Sequence, residues 1–290
     1  MQNESKILST EDKAKLIYAL AESGIKNIEI TSFVSPKWIP QLADADQLCQ
    51  MLHLPPDINT SALVPNAKGY ERARSTNLST IAVFMSATEA HNKKNINRTI
   101  KESISAIAEL VPLAKTDGKK VRAYLSVVFS CPYEGVVEQK SVVQLCKELI
   151  ELGVDELSLG DTIGAATPNM VLSLIDKMKT IDTLNKFALH FHDTRGMALA
   201  NTMAGLEAGI ATFDSSIGGM GGCPYAPGAA GNLATEDLVY LLQSLDIQTS
   251  INLEKLIHCG QLAQQLLGKE LPGRFLKASL AQQNKQKPAC

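Results

Sequence analysis

Histidine is scarce in this chain, yet two of its five histidines stand two residues apart in the run ALHFHDT, Ala188 to Thr194. In an extended strand alternate side chains share a face. His190 and His192 would then lie roughly 6–7 Å apart on one side, close enough to turn toward a single divalent ion. The alternative is a pair of buried, hydrogen-bonded imidazoles. A second concentration of chemistry is IGGMGGCPYAPGAAGNLATED, Ile217 to Asp237. Its glycines and prolines make a loop that bends and lets backbone approach a ligand. Cys223 sits inside it, placed for proton transfer or nucleophilic work, with an incidental thiol as the alternative. Asn232 precedes the helix that carries Glu236, so its amide oxygen could cap that helix or reach a hard cation.

Further candidates lie at other strand ends. Glu29 interrupts the apolar stretch IEITSF. With Ile28 and Ile30 turned toward helices, Glu29 faces the interior, where a carboxylate needs a cation or a donor; a structural ion pair is the other reading. Asp161, in LSLGDT, follows a glycine at a strand's end and is a mouth residue or a helix cap. Arg122 and Tyr124, two apart in VRAYLSV, would face the same mouth. The run KKNIN, Lys93 to Asn97, reads as a basic loop with Lys94 suited to a phosphate contact, or as a solvated turn.

The elements that must position these groups alternate. Strand patterns fall at Asn27–Phe33, Ile58–Val64, Thr80–Ser86, Val121–Phe129, Glu156–Gly160, Phe187–His192 and Thr212–Ile217. Helical spacing fills Thr10–Ser23, Asn97–Lys115, Ser141–Leu152, Pro168–Met178, Leu199–Ala208, Glu236–Leu245 and Asn252–Leu267. Repeated strand–helix units imply parallel strands with helical crossovers. An open doubly wound sheet would suit a dinucleotide, but no G-x-G-x-x-G follows an early strand. A (β/α)₈ TIM barrel gathers all the strand ends at one mouth. Seven strands and a helix at the front leave that barrel one strand short. Residues 1–280 are expected to form a single incomplete barrel domain and 281–290 a loose polar tail. The composition, 45% hydrophobic and 20% charged with a net charge of −2, suits a soluble globular chain and gives no sign of nucleic-acid binding. No apolar run approaches a membrane span. The six cysteines are scattered without a C-x-x-C pair, which points to reduced thiols inside a cell.

With SFVSPKW, SLGDT, HFHDT and GGCPYAPGAAGNLATED present in that order, the chain resembles the 3-hydroxy-3-methylglutaryl-CoA lyases from Gln2 to about Gly268. GGCPYA is the specific signature; H-x-H at a strand end is shared more widely among metal-dependent barrel lyases and synthases. The resemblance implies a TIM barrel that cleaves 3-hydroxy-3-methylglutaryl-CoA to acetyl-CoA and acetoacetate, an oxo-acid lyase of the EC 4.1.3.4 type acting in leucine degradation and ketone-body formation. It implies Mg²⁺ or Mn²⁺ held by His190, His192 and Asn232, with Cys223 as the catalytic cysteine of a loop. Glu29, Asp161 and Glu236 match acidic site residues, and Ser158 matches a site position. The chemistry of the cleavage calls for a base, assigned to Asp161 or His190. Ser158 joins Arg122, Tyr124 and Lys94, read above from parity and charge, as the expected substrate contacts. A homodimer is usual in the resembled family. The chain begins Met-Gln-Asn-Glu where the family reads Arg-Asp-Gly-x-Gln-Asn-Glu. The resemblance therefore implies a first strand, an arginine and an aspartate metal ligand upstream of Met1, and full activity is expected of a chain that carries them. The expected address is cytoplasmic in a bacterium, or mitochondrial if a transit segment preceded that strand. Rival readings are a related metal-dependent lyase or synthase for another hydroxy or oxo acid, and an inactive binding subunit.

Overall fold

A computed structural model describes residues 1–222 and 231–286. The chain opens with helix α1 (Thr10–Glu22), whose Ser9 side chain accepts from the Asp12 N–H and so satisfies one of the free donors of the first turn. Strands and helices then alternate: β1 (Asn27–Ser32), α2 (Ala45–Met51), β2 (Asn59–Leu63), α3 (Ala67–Arg74), β3 (Thr80–Ser86), α4 (Glu89–Ile96), α5 (Ile100–Thr116) and β4 (Lys120–Ser126). A small antiparallel hairpin, β5 (Ser130–Cys131) and β6 (Gly135–Val136), follows. The series ends with α6 (Gln139–Glu151), β7 (Glu156–Asp161), α7 (Pro168–Met178), β8 (Phe187–Phe191), α8 (Ala198–Glu207), β9 (Thr212–Asp214), α9 (Thr235–Ser244), α10 (Leu253–Leu267) and α11 (Arg274–Gln286).

Seven strands pair in the order β1-β2-β3-β4-β7-β8-β9, every pair parallel. The sheet curls into the TIM-barrel form and stops one strand short of closure, leaving β1 and β9 as its two edges. Along each strand one set of side chains turns outward beneath the helices. Val121, Ala123 and Leu125 of β4, Leu157 and Leu159 of β7, and Phe187, Leu189 and Phe191 of β8 are all buried there. They form the main core with Leu110, Val142, Leu149, Leu174 and Ile175 from the helices; each such side chain contributes about 1.5–3 kcal/mol. The opposite set faces a cavity of about 1130 Å³, lined from both edges of the sheet. A second apolar cluster, with Leu16, Val239, Leu256 and Leu276, packs α1, α10 and α11 beside the gap.

Two local expectations are corrected. Lys93 and Lys94 do not lie in a loop: they occupy the last turn of α4, which ends at Asn97 in the left-handed region (φ 54°). Glu89 in the first turn and the two lysines in the last complement the helix dipole; the helix is short and polar, so its apolar spacing is weak. The expected tail from Ala281 continues α11 as far as Gln286. That helix is anchored at its start, where the Asp237 carboxylate accepts from the Arg274 and Phe275 N–H groups. No helix among the described residues is long and apolar enough to cross a membrane.

Candidate metal and substrate site

Strand parity assembles the interior. Glu29 comes from β1, Arg122 and Tyr124 from β4, Ser158 from β7, His190 from β8 and Asp214 from β9. Charge on these groups requires partners, and they supply one another. The Tyr124 hydroxyl donates to Glu29 Oε2 at 2.9 Å and accepts from Arg122 at 2.7 Å. Arg122 also pairs with Glu156 and, at 2.7 Å, with Asp214. Ser158 Oγ donates to Asp214 Oδ2 at 2.7 Å. A continuous polar chain thus runs across the interior from one sheet edge to the other. Burial alone would raise the Asp214 pKa, but Arg122 and His190 beside it hold the carboxylate well below its ordinary range. Glu29 is exposed to the cavity; its position deep in the interior raises its pKa, with the Tyr124 hydrogen bond opposing.

His190 and His192 point into the same cavity, their ring centroids 5.3 Å apart. Tyr124 meets His190 edge-on at 6.3 Å. His192 is buried, and burial followed by the neighbouring His190 lowers its pKa to about 3, so it is neutral at physiological pH, the form that binds metal. The chain returns beside this pair at residues 231–234. Leu233 N–H donates to Phe191 at the end of β8, and the Ser216 N–H, just after β9, donates to the Leu233 carbonyl. His192 and Asn232 form an antiparallel bridge. Gly231 is required for this approach, because a Cβ there would meet the Gly219 carbonyl oxygen at 1.6 Å. The Asn232 amide N–H donates to the Met220 carbonyl at 2.9 Å. Its oxygen, Oδ1, is buried with no hydrogen-bond partner, as are Nδ1 of His190 and Nδ1 of His192. The unpartnered Asn232 Oδ1 and His192 Nδ1 meet at one wall with the His190 ring beside them, an arrangement that fits a divalent cation. Imidazole and amide oxygen together suit Mg²⁺ or Mn²⁺, and Zn²⁺ would accept them too. Among the described residues no cluster of three or more His, Cys, Asp or Glu could hold a metal, so the amide oxygen is integral to the set.

Four expectations about individual residues change. Asp161 is not at the cavity: it is 1% exposed on the far face of β7, where its carboxylate accepts from Ala165 and Ala166 N–H at 2.8 and 3.0 Å. It fastens the turn after β7. Glu236 is fully buried behind the wall, with Oε2 accepting from Gly218 N–H at 2.7 Å, so it touches no space a substrate could enter. Arg122 lines the cavity, but its guanidinium is engaged by Glu156, Asp214 and Tyr124 and serves the network rather than a ligand. Lys94 is exposed on α4 and does not line the cavity. Cys223 lies outside the described residues. Asp214, absent from the sequence-based candidates, is the hub of the interior. The argument applied to Glu29, an acid beside an outward-facing apolar residue (here Phe213), would have found it.

A parallel sheet curled into barrel form, with two imidazoles at the C-terminal end of β8 and an amide oxygen beside them, belongs to the class of barrels that build their sites at that end of the strands. Comparison with known proteins then narrows the class: the profile of the family described as HMGL-like matches residues 1–263, and the chain belongs to that family. The hydroxymethylglutaryl-CoA lyase YngG of Bacillus subtilis (strain 168) is 47% identical over 277 residues, spanning 96% of this chain and 93% of that protein. A crystal structure of the Bacillus subtilis HMG-CoA lyase superposes with a TM-score of 0.94 at 46% identity, covering 96% of this chain and 94% of the other. An HMG-CoA lyase from Acinetobacter baumannii, solved in complex with coenzyme A and 3-methylmalate, superposes with a TM-score of 0.91 at 34% identity over 100% of this chain and 93% of that one.

Proposed function

We propose that this protein is a hydroxymethylglutaryl-CoA lyase that cleaves 3-hydroxy-3-methylglutaryl-CoA to acetyl-CoA and acetoacetate, with Mg²⁺ or Mn²⁺ held by His190, His192 and Asn232. The observation that carries the reading is the convergence of those three residues in a barrel matching HMG-CoA lyases along nearly its whole length. A cation bound there supplies Lewis acidity toward a substrate oxygen. The chain's own residues supply the rest. The reaction breaks the C2–C3 bond, forms the C3 carbonyl of acetoacetate from the tertiary hydroxyl, and leaves the electron pair on C2 of the acetyl-CoA enolate. One group must take the hydroxyl proton and another must return a proton to C2. With Asp161 turned away, Glu29 is the described carboxylate in the cavity whose raised pKa suits it to accept that proton, with Tyr124 fixing its orientation. Cys223, which follows Gly222 in the sequence, is assigned the proton returned to C2. Neutral His192 provides a lone pair without bringing a competing positive charge beside the ion. Acetoacetate release from 3-hydroxy-3-methylglutaryl-CoA in the presence of Mg²⁺ or Mn²⁺ is the direct assay. No release by Mn²⁺-binding protein extended to carry the expected upstream arginine and aspartate would reject the lyase reading.

A further inference from the structure

We propose that Asp214 is a positioning residue for His190: its carboxylate holds the Nδ1 proton of the imidazole and thereby leaves the Nε2 lone pair for the cation. The proposal rests on the metal reading above. His190 and Asp214 are register partners on neighbouring strands β8 and β9, so both side chains rise from the same level of the interior. His190 Nδ1 lies 3.4 Å from Asp214 Oδ2, within ion-pair distance, and is buried with no hydrogen-bond partner of its own. Asp214 is itself fixed from two sides. Arg122 donates to Oδ1 at 2.7 Å and Ser158 donates to Oδ2 at 2.7 Å, while Glu156 and Tyr124 hold the Arg122 guanidinium in place. Side chains from three strands therefore converge on one carboxylate carried by a fourth.

An ionised carboxylate only accepts. The imidazole nitrogen facing it must carry the hydrogen, and in a neutral ring the other nitrogen is then bare. A metal-binding histidine oriented by a carboxylate in this way gains basicity and a fixed ring plane, and loss of such a partner costs about 10–100-fold in metal affinity. Glu156 and Asp214 share one guanidinium, so the orientation of Asp214 is set from the floor of the cavity, away from any substrate.

The tautomer is read directly by two-bond ¹H–¹⁵N correlation of the metal-free protein at mildly alkaline pH, with His190→Gln assigning the signals. A protonated Nδ1 with a bare Nε2 on His190 is expected; a protonated Nε2 would overturn the proposal without any variant of Asp214. In Asp214→Asn the amide can donate toward the ring, so the Nε2–H tautomer should appear and Mn²⁺ affinity measured by calorimetry should fall about 10–100-fold. Ser158→Ala, which leaves the Arg122 contact in place, should shift affinity in the same direction by a smaller factor. An unchanged tautomer with Mn²⁺ affinity within twofold in a folded Asp214→Asn protein would overturn the assignment. Failure of the parent protein to bind Mn²⁺ would instead defeat the metal reading, and the tautomer spectrum would still decide the role of Asp214.

Discussion

Glu236 offers a test of the fold's electrostatics, because it is a fully buried carboxylate with one oxygen on the Gly218 N–H and the other without a partner. Burial raises its pKa from 4.5 to about 7, against the pull of its backbone hydrogen bonds. The folded protein therefore holds this proton more tightly than the unfolded chain does. Stability from this group is full below about pH 4.5, declines as pH rises toward 7, and is level above that. The interval between the two values corresponds to ~3 kcal/mol. Glu236→Gln is neutral throughout and should abolish that decline. The variant gives up the charged acceptor on Gly218 N–H, a loss of about 0.5–1.5 kcal/mol. A net gain of about 1–3 kcal/mol at alkaline pH is expected, equivalent to a rise of several degrees in Tm, with no gain at acid pH. Urea denaturation of parent and variant at about pH 5 and about pH 8.5 measures it. Identical pH dependence in the two proteins would refute the reasoning, since some other group would then carry the proton.

The remaining expectations probe packing and the site. Gly205→Ala places a Cβ 2.6 Å from Leu189 Cδ1 and 3.0 Å from Phe213 Cε1. Overpacking of about 1–3 kcal/mol should outweigh the ~1 kcal/mol gained in helix propensity, and a higher Tm would contradict this. Asp161→Ala releases the Ala165 and Ala166 N–H groups and should cost about 1–3 kcal/mol in stability while Mn²⁺ affinity stays within twofold; a collapse of affinity would return Asp161 to the metal site. Cys223→Ser should lower turnover by about 10²–10⁴ with Mn²⁺ binding retained, and normal turnover would remove it as the acid. His192→Gln should show the converse signature, loss of Mn²⁺ binding seen by calorimetry before any assay of turnover.

Period-two alternation is the feature of the sequence that carries furthest into the structure. It puts His190 with His192, and Arg122 with Tyr124, on the interior side, and it sets Glu29 opposite Ile28 and Ile30. Strand Thr80–Ser86 and helix Pro168–Met178 keep their expected bounds at both ends, because β-branched runs and an N-terminal proline mark them strongly. The same parity exposes the weak point in reading Ser158 and Asp161 as one site. An odd separation within a strand sends the two side chains to opposite faces; Ser158 turns inward, where it is fully buried against Asp214 rather than open to a substrate. Helices α2, α3 and α4 escaped notice because they are short and largely polar, held by tertiary packing rather than by a long apolar stripe.

Asp214 shows why the rest was not legible. Its strand is marked in the sequence at Thr212–Ile217 and runs Thr212–Asp214 in the structure, but its importance comes from Arg122, ninety-two residues earlier in the chain. Backbone pairing does not join β1 to β9 among the described residues, so the interior side chains span the distance that the sheet's hydrogen bonds leave open. Glu29 reaches Tyr124, Tyr124 reaches Arg122, and Arg122 reaches Asp214. A charge at any link would be costly alone in so enclosed a space; linked, each is satisfied by the next. The same contacts that hold the two edges in register also fix the carboxylate beside His190, which is why the geometry of the candidate metal site depends on residues at the floor of the barrel.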